Sequence, residues 1–319
     1  MFSSSLAAIP PGALDLTGEA VRRRRALQRT SLTALERAGY EELIPPTFEY
    51  EDTFLRAGGP GVAERLVRFP DRDGRILALR YDFTASLARV TATTFSAADR
   101  SLRLSYSGMV YRQDPERGGR PREILQVGAE LLGERDLSAD VEVVQLTLEL
   151  LAAAGLQDFQ LNLGHVGVLA AGLAAIQEPL RSDVRRWIDR KDRSSLGRAL
   201  AGRAGDAGAL TSLPFVIGRR EALEDAARGA SEASQPGLQH LLNLDAALSS
   251  SERAHLVYDL GEVRGLDYYT GIHFELYTAG AGRAVGAGGR YDELMGRFGR
   301  PMPAVGMSLD LDSIAEVQP

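Results

Sequence analysis

Apolar and polar residues alternate with period two along several short stretches of this chain, and recur with a period near 3.6 along others. The clearest alternation sets Leu125, Val127, Ala129 and Leu131 against Gln126, Gly128 and Glu130, an apolar and a polar face of one strand. Leu102 to Tyr111 predicts a neighbouring strand, and Arg112 to Glu123 between the two is a polar loop. Arg75 to Leu79, Phe159 to Leu163, Leu256 to Leu260 and Ile272 to Thr278 read as further strands. Glu41 to Tyr50 is strand-like but broken by Pro45 and Pro46. Proline cannot donate to a ladder, which confines that strand to an edge or an interface.

Helical periods fall between these stretches. Thr17 followed by Glu19 opens a helix that stops at Gly39, with Val21, Leu32 and Leu35 as its apolar face and Arg22 to Arg25 as a solvated run. Ser138 to Ala154 carries Val141, Val144, Leu148 and Leu151 on one side, and a short closing helix turns Leu311 and Ile314 inward. The succession predicts an α+β fold, a sheet of consecutive antiparallel strands backed by helices. From Leu169 to Ser251 the character changes to helical, around Ser182 to Arg190 and Leu238 to Leu248. Residues 169–251 are therefore expected to form a helical insertion subdomain in a discontinuous core, 1–168 and 252–319. Gly197 to Gly208 reads as a loop rather than a phosphate cradle, having no preceding strand and no Gly-Lys-Ser/Thr ending.

Composition narrows the function. The chain has no cysteine, and its four histidines lack the close helical spacing of a zinc site, so neither metal nor cofactor is expected. A net charge of -6 argues against holding nucleic acid unaided. The chain shows neither a membrane-length apolar run nor a secretion signal, and a cytoplasmic protein is expected. Its one lysine, Lys191, is expected at a solvated helix end.

Candidate chemistry gathers at a few places. Val263 to Gly271 sets Arg264, Asp267, Tyr268 and Tyr269 between strand-like flanks. That is either a hairpin with surface tyrosines or a site for a small zwitterion with a ring. Asp82 and Thr84, after a strand, either cap the following helix or hold a substrate ammonium group. The four arginines of the 112–123 loop make either a soluble hairpin tip or a clamp for phosphate or carboxylate. Gly286 to Asp292 brings bare backbone beside Arg290 and Tyr291, where a ligand or another backbone can come close.

Together these residues resemble the catalytic core of histidyl-tRNA synthetases, a class II fold, from about Pro10 to Val317. Gly39-Tyr40 to Pro46 resembles the first motif and its dimer contact; Tyr111 to Asp114, with Gln126 and Glu130, resembles the second. Arg264 to Tyr269 matches the histidine-specific signature, and Gly288 to Asp292 its companion. The resemblance implies a histidine pocket in which Asp82, Thr84 and Gln126 meet the ammonium group and Arg112 and Arg264 face the carboxylate. Glu130, Tyr268, Tyr269 and Tyr291 would complete it, with Glu130, Tyr269 and Tyr291 against the ring. Asp82 is shorter than the family's usual glutamate.

Three departures change what the resemblance implies. Ser313 stands where the third motif supplies an arginine for ATP, with Asp310 in place of a glycine. Asp114 replaces a glutamate, and the chain stops before an anticodon-binding domain. The pattern is similar to the regulatory subunits of ATP phosphoribosyltransferase. These resemble the synthetase core, do not aminoacylate, activate a short catalytic subunit in the first step of histidine synthesis, and contribute to feedback inhibition by histidine. The implied partners are that subunit, histidine as effector and a second copy of the chain, with no tRNA and no membrane. Two alternatives stand beside this: a histidine-activating enzyme with a non-tRNA acceptor, and a histidine-sensing module for another partner.

Overall fold

The computed structural model describes residues 8–95, 100–113, 121–262 and 269–318. Asp114, Arg117, Arg120 and the whole of Val263 to Tyr268, with Arg264, lie outside the described residues. Helix α1 (Gly18–Arg37) ends at Gly39, whose φ of 84° glycine adopts without a Cβ clash. Its buried stripe is Leu27, Ser31 and Leu35. Val21 is exposed rather than inward, because at about 100° per residue it lies roughly 120° around the helix from Leu27. The arginine run is only half solvated. Arg22 pairs with Glu19 at the surface, whereas Arg23 donates to the carbonyls of Ala315 and Gln318, and Arg24 Nε lies 2.8 Å from Asp312 Oδ1.

After β1 (Glu41–Glu42) the two prolines turn the chain into β2 (Phe48–Tyr50), α2 (Glu51–Gly58), β3 (Arg68–Pro70) and β4 (Ile76–Leu79). Strands β2, β4 and β3 form a separate three-stranded sheet in that order. Then come α3 (Thr84–Thr93), β5 (Leu102–Tyr111), β6 (Glu123–Leu132), α4 (Leu137–Ala153) and β7 (Phe159–His165). The next stretch carries α5 (Gly167–Ala174), α6 (Leu180–Asp189), α7 (Arg193–Ala199), α8 (Gly205–Ala209), β8 (Ile217–Gly218), α9 (Arg220–Gly229), α10 (Gln235–Ala247) and α11 (Ser250–Arg253). Strands β9 (Leu256–Asp259), β10 (Ile272–Thr278) and β11 (Gly286–Arg290), helix α12 (Leu294–Arg297), strand β12 (Ala304–Asp310) and helix α13 (Leu311–Val317) follow.

The main sheet runs β1-β5-β6-β12-β11-β10-β7-β9-β8 and is antiparallel except for the parallel pairs β1/β5 and β7/β9. The proline-broken strand sits at its edge, as the missing donors require. Strands β9 and β10, which flank the Arg264 to Tyr269 signature, are not a hairpin. β7 lies between them and pairs with both, so β9 and β10 stand two strand spacings, about 10 Å, apart. The alternation of β6 holds: Leu125, Val127, Ala129 and Leu131 join a core with α1, α4 and the 167–247 helices, while Gln126, Gly128 and Glu130 face the other way.

Two local expectations are corrected. Gly197 and Gly208 lie within α7 and α8, because the buried Leu196, Leu200 and Leu210 anchor those turns despite the glycines. Lys191 is no solvated helix end. Its Nζ lies 2.7 Å from Asp259 Oδ1 and 3.1 Å from the Pro214 carbonyl, tying the helical region to the end of β9.

Arg80 joins the small sheet to the large one. It is 5% exposed, and its guanidinium donates to the carbonyls of Pro45, Pro46 and Met109 while lying 4.1 Å over the Phe83 ring. Arg80→Met leaves three carbonyls, that of Pro45 buried and those of Pro46 and Met109 partly so, without their charged donor. It should lower unfolding free energy by about 3 kcal/mol in urea melts; a loss below about 1 kcal/mol would show that the tie does not hold the sheets together.

Candidate functional site

The polar face of β6 meets α3 and β11 around one carboxylate. Glu130 is 2% exposed. Thr84, the first residue of α3, donates to its Oε1 at 2.9 Å, and Tyr106 of β5 donates to the same oxygen at 3.4 Å. Tyr291, just past β11, donates to Oε2. Three hydroxyls thus fill three of about four acceptor positions on a carboxylate, leaving room for one more donor such as a ring N–H. Burial dominates the three hydrogen bonds and pushes the Glu130 carboxyl up to about 7. The Tyr106 and Tyr269 phenols are driven upward, first by the same burial and then by the nearby Glu130 charge.

The sheet makes space for this group with bare backbone. Glu130, Gly306, Gly289, His273 and Gly164 are consecutive partners on one row across β6, β12, β11, β10 and β7. A Cβ on Gly306 would stand 1.6 Å from Glu130 Oε2, one on Gly289 would stand 2.8 Å from the Tyr269 ring, and one on Gly164 would stand 2.7 Å from His273 Nε2. The glycines therefore form a trough in which Glu130, Tyr269 and His273 lie flat. Gly289 also has a φ of 154°. Gly128 serves likewise, since a Cβ there would meet the Tyr106 hydroxyl at 2.3 Å; Tyr106 itself stacks on Phe83 at 4.2 Å.

At the α3 end, Asp82 Oδ1 accepts from the Ala85 backbone at 2.9 Å and so caps the helix. Burial raises its carboxyl, against the pull of that bond and of the Arg112 and Arg65 charges. Arg112 Nε donates to the Tyr81 carbonyl at 3.2 Å, and the Arg112 and Arg65 guanidiniums lie 5.0 and 5.1 Å from the Tyr81 ring. Gln126 is 7% exposed on the site face of β6, paired across the sheet with Gly108 and Asp310. The structure thus groups Asp82, Thr84, Arg112, Gln126, Glu130, Tyr269 and Tyr291 around this end of the sheet. Arg264 and Tyr268 lie outside the described residues.

Sequence reasoning missed several members. Arg65 arrives from the short helical turn before β3, and Tyr106 from the strand opposite Gly128. His273 could have been found, since it alternates with Ile272 and Phe274 and so faces the site. Its ring lies 6.0 Å from that of Tyr269, and among the described residues neither nitrogen has a hydrogen-bond partner of good geometry. Burial lowers it to about 4, outweighing the Asp259 charge and the Glu262 backbone. Behind the row, Arg290 sends its side chain to the helix layer. There Nη2 lies 2.8 Å from Asp140 Oδ1, and Asp140 Oδ2 is 2.7 Å from His240 Nε2 on α10. The Arg290 carbonyl accepts from the Thr270 backbone at 2.7 Å, fixing the end of the signature segment.

The third-motif position is closed. Asp310 caps α13, accepting from the Ser313 backbone at 2.9 Å and from the Ser313 hydroxyl at 2.7 Å. Ser313 is 1% exposed.

Comparison with known proteins gives the family and the fold. The family model described as Histidyl-tRNA synthetase matches residues 12–314. An ATP phosphoribosyltransferase regulatory subunit of Moorella thermoacetica is 38% identical over 317 residues, covering 96% of this chain and 80% of that protein. One from Geobacter sulfurreducens is 36% identical, covering 96% and 72%. Among solved structures, an ATP phosphoribosyltransferase regulatory subunit/histidyl-tRNA synthetase from Bacillus halodurans C superposes with a TM-score of 0.90 at 30% identity, covering 100% of this chain and 84% of that one. The fold is that of the class II synthetase core. The chain belongs to the histidyl-tRNA synthetase-like family of ATP phosphoribosyltransferase regulatory subunits.

The Glu130 environment sets a pH signature. Between its ordinary value and about 7 the folded protein holds a proton that the unfolded chain has released, so this contribution to stability falls as pH rises through 7. A Glu130→Gln variant cannot ionise. Relative to wild type it should gain stability, on the order of 3 kcal/mol, between about pH 5 and pH 8 in paired thermal melts. A stability difference that stays constant over that range would contradict the burial of this carboxyl.

Proposed function

We propose that this chain is a non-catalytic regulatory subunit that binds histidine between Glu130, Tyr269 and the Asp82–Arg112 end of the cleft. Through that site it tunes a short catalytic ATP phosphoribosyltransferase subunit. The observation that carries this reading is a buried carboxylate with an open acceptor position beside a serine at the third-motif position. Glu130 is desolvated, held by three hydroxyls and left with one acceptor position, while Ser313 is folded onto Asp310 where the synthetases place a cation. A neutral hydroxyl bound to a carboxylate offers nothing to a triphosphate. Arg283 Nη2, at 3.8 Å from Asp310 Oδ2, is drawn to the same carboxylate.

Feedback is then a matter of linkage. Histidine inhibits only if the assembly has two states and histidine prefers the less active one; a coupling of about 1 to 3 kcal/mol corresponds to roughly 5- to 150-fold in affinity. Arg290 is suited to carry it, since it joins β11 to Asp140 on α4 and thence to His240 on α10.

Self-association through the first-motif region belongs to the same reading. The outer side of the small sheet exposes Phe48 and Tyr50 at 52% and 38%, and Ile44 before it is 79% exposed. Phe48 and Phe69 meet edge to face at 6.1 Å. Such a contiguous apolar face fits a second copy of the chain. No helix among the described residues is long and apolar enough to cross a membrane, and the proposed setting is the cytoplasm, without tRNA.

The assay follows the rate of a short catalytic subunit with and without this chain, then with added histidine. Activation by the chain and inhibition by histidine are expected; an unchanged rate in both steps would sink the regulatory reading. Histidine-dependent exchange of pyrophosphate into ATP by the chain alone would favour the histidine-activating enzyme instead. Separately, Phe48→Glu should convert a dimer to a monomer in sedimentation equilibrium, whereas an unchanged mass would remove the small sheet from the contact.

A further inference from the structure

We propose that the cavity behind the β5–β6 hairpin is where a partner chain docks, and that the docked element is an aliphatic segment flanked by lysine or arginine. The inference rests on the regulatory reading, in which that partner is the catalytic subunit. The cavity, about 390 Å³, lies between the segment before α1, α1 itself, α13 and the loop end of the hairpin. Its floor is apolar, with Leu14, Leu16, Ala20, Met109 and Ala315. Leu14 is 68% exposed and Leu16 is 37% exposed. A lone exposed leucine needs no explanation; two exposed leucines around one concavity with an apolar floor mark a surface that something covers.

Charge selects the occupant. The basic side chains at the cavity are engaged, Arg23 on the α13 carbonyls and Arg24 on Asp312, and Glu19 pairs with Arg22. Glu123 and Glu316 line the same cavity, are exposed, and have no ion pair or side-chain hydrogen bond among the described residues. An apolar floor with a net anionic rim complements an apolar segment with cationic flanks and repels phosphate or a carboxylate ligand.

The position also gives an occupant a route to the ligand site. Asp312, held by Arg24 at the cavity wall, accepts from the Leu125 backbone at 2.7 Å. Leu125 precedes Gln126 on the strand whose far face carries Glu130. The Gly12 carbonyl at the cavity edge accepts from the Arg122 backbone at 2.8 Å, and Arg122 in turn accepts from the Arg112 backbone at 2.9 Å. A segment seated here touches two supports of the loop end of the β5–β6 hairpin, the end that carries Gln126 and Arg112, so its binding and that of a ligand reaching those residues are coupled.

The test titrates the short catalytic subunit calorimetrically into three forms of the full chain: wild type, Ala20→Trp, which fills the floor from an exposed helical position, and Glu123→Arg/Glu316→Arg, which reverses the rim. Each variant should bind at least about tenfold more weakly, with its thermal melt and its own histidine binding in the absence of partner unchanged. Wild-type affinity in both variants overturns the docking inference and leaves the regulatory reading standing. Absence of binding by wild type overturns both. If Ala20→Trp alters self-association instead of subunit binding, the cavity belongs to a second copy and the inference falls.

Discussion

A carboxylate taken out of water and given only hydroxyl partners is the constraint around which this sheet is arranged. Glu130 could not lie flat between β6 and β12 if position 306 carried a Cβ, and Tyr106 could not reach it past a side chain at position 128. The glycines are there because the buried groups need the volume. Hydroxyls neutralise no charge, so the desolvation cost stays partly uncompensated and the carboxyl stays near neutrality in its titration. Replacing those hydroxyls by an arginine would stabilise the ion, yet it would also occupy the last acceptor position, the one a ring N–H would use.

The same economy of partners explains how distant elements meet the site. Arg290 passes to the helix layer beside Gly271, where a Cβ would stand 2.9 Å from its Cδ, and there it finds Asp140, which is wholly buried. Asp140 is shared with His240, so α4, α10 and β11 converge on one carboxylate. Lys191 and Asp259 make a second link from the helical region to the strand leading into the signature. The Arg290–Asp140 link is buried, so its desolvation is offset only when every member is in place, whereas Lys191 remains one-third exposed.

Much of this was legible in the sequence because it depends on local period. Alternation along β6 fixed which residues face the core, and the same rule, applied to Ile272-His273-Phe274, places His273 on the site face. What could not be read is non-local pairing. Nothing in Leu256 to Thr278 says that β7 enters between β9 and β10, because parallel and antiparallel neighbours are chosen by the whole sheet. Lys191 was misjudged for a similar reason: its sequence neighbours are charged, but its spatial neighbours are Asp259 and Pro214. Histidine as the proposed ligand rests on resemblance, as an arginine, an aspartate and two tyrosines specify a zwitterion with a ring and nothing finer.

The central claim is that Glu130 reads the ring of histidine. Calorimetric titration of L-histidine into wild type and Glu130→Gln at about pH 8, where the carboxyl is ionised, tests it most directly. The account predicts saturable binding to wild type and affinity at least about tenfold weaker in the variant, the loss of one charge-assisted hydrogen bond. Equal affinity in the two proteins would contradict it.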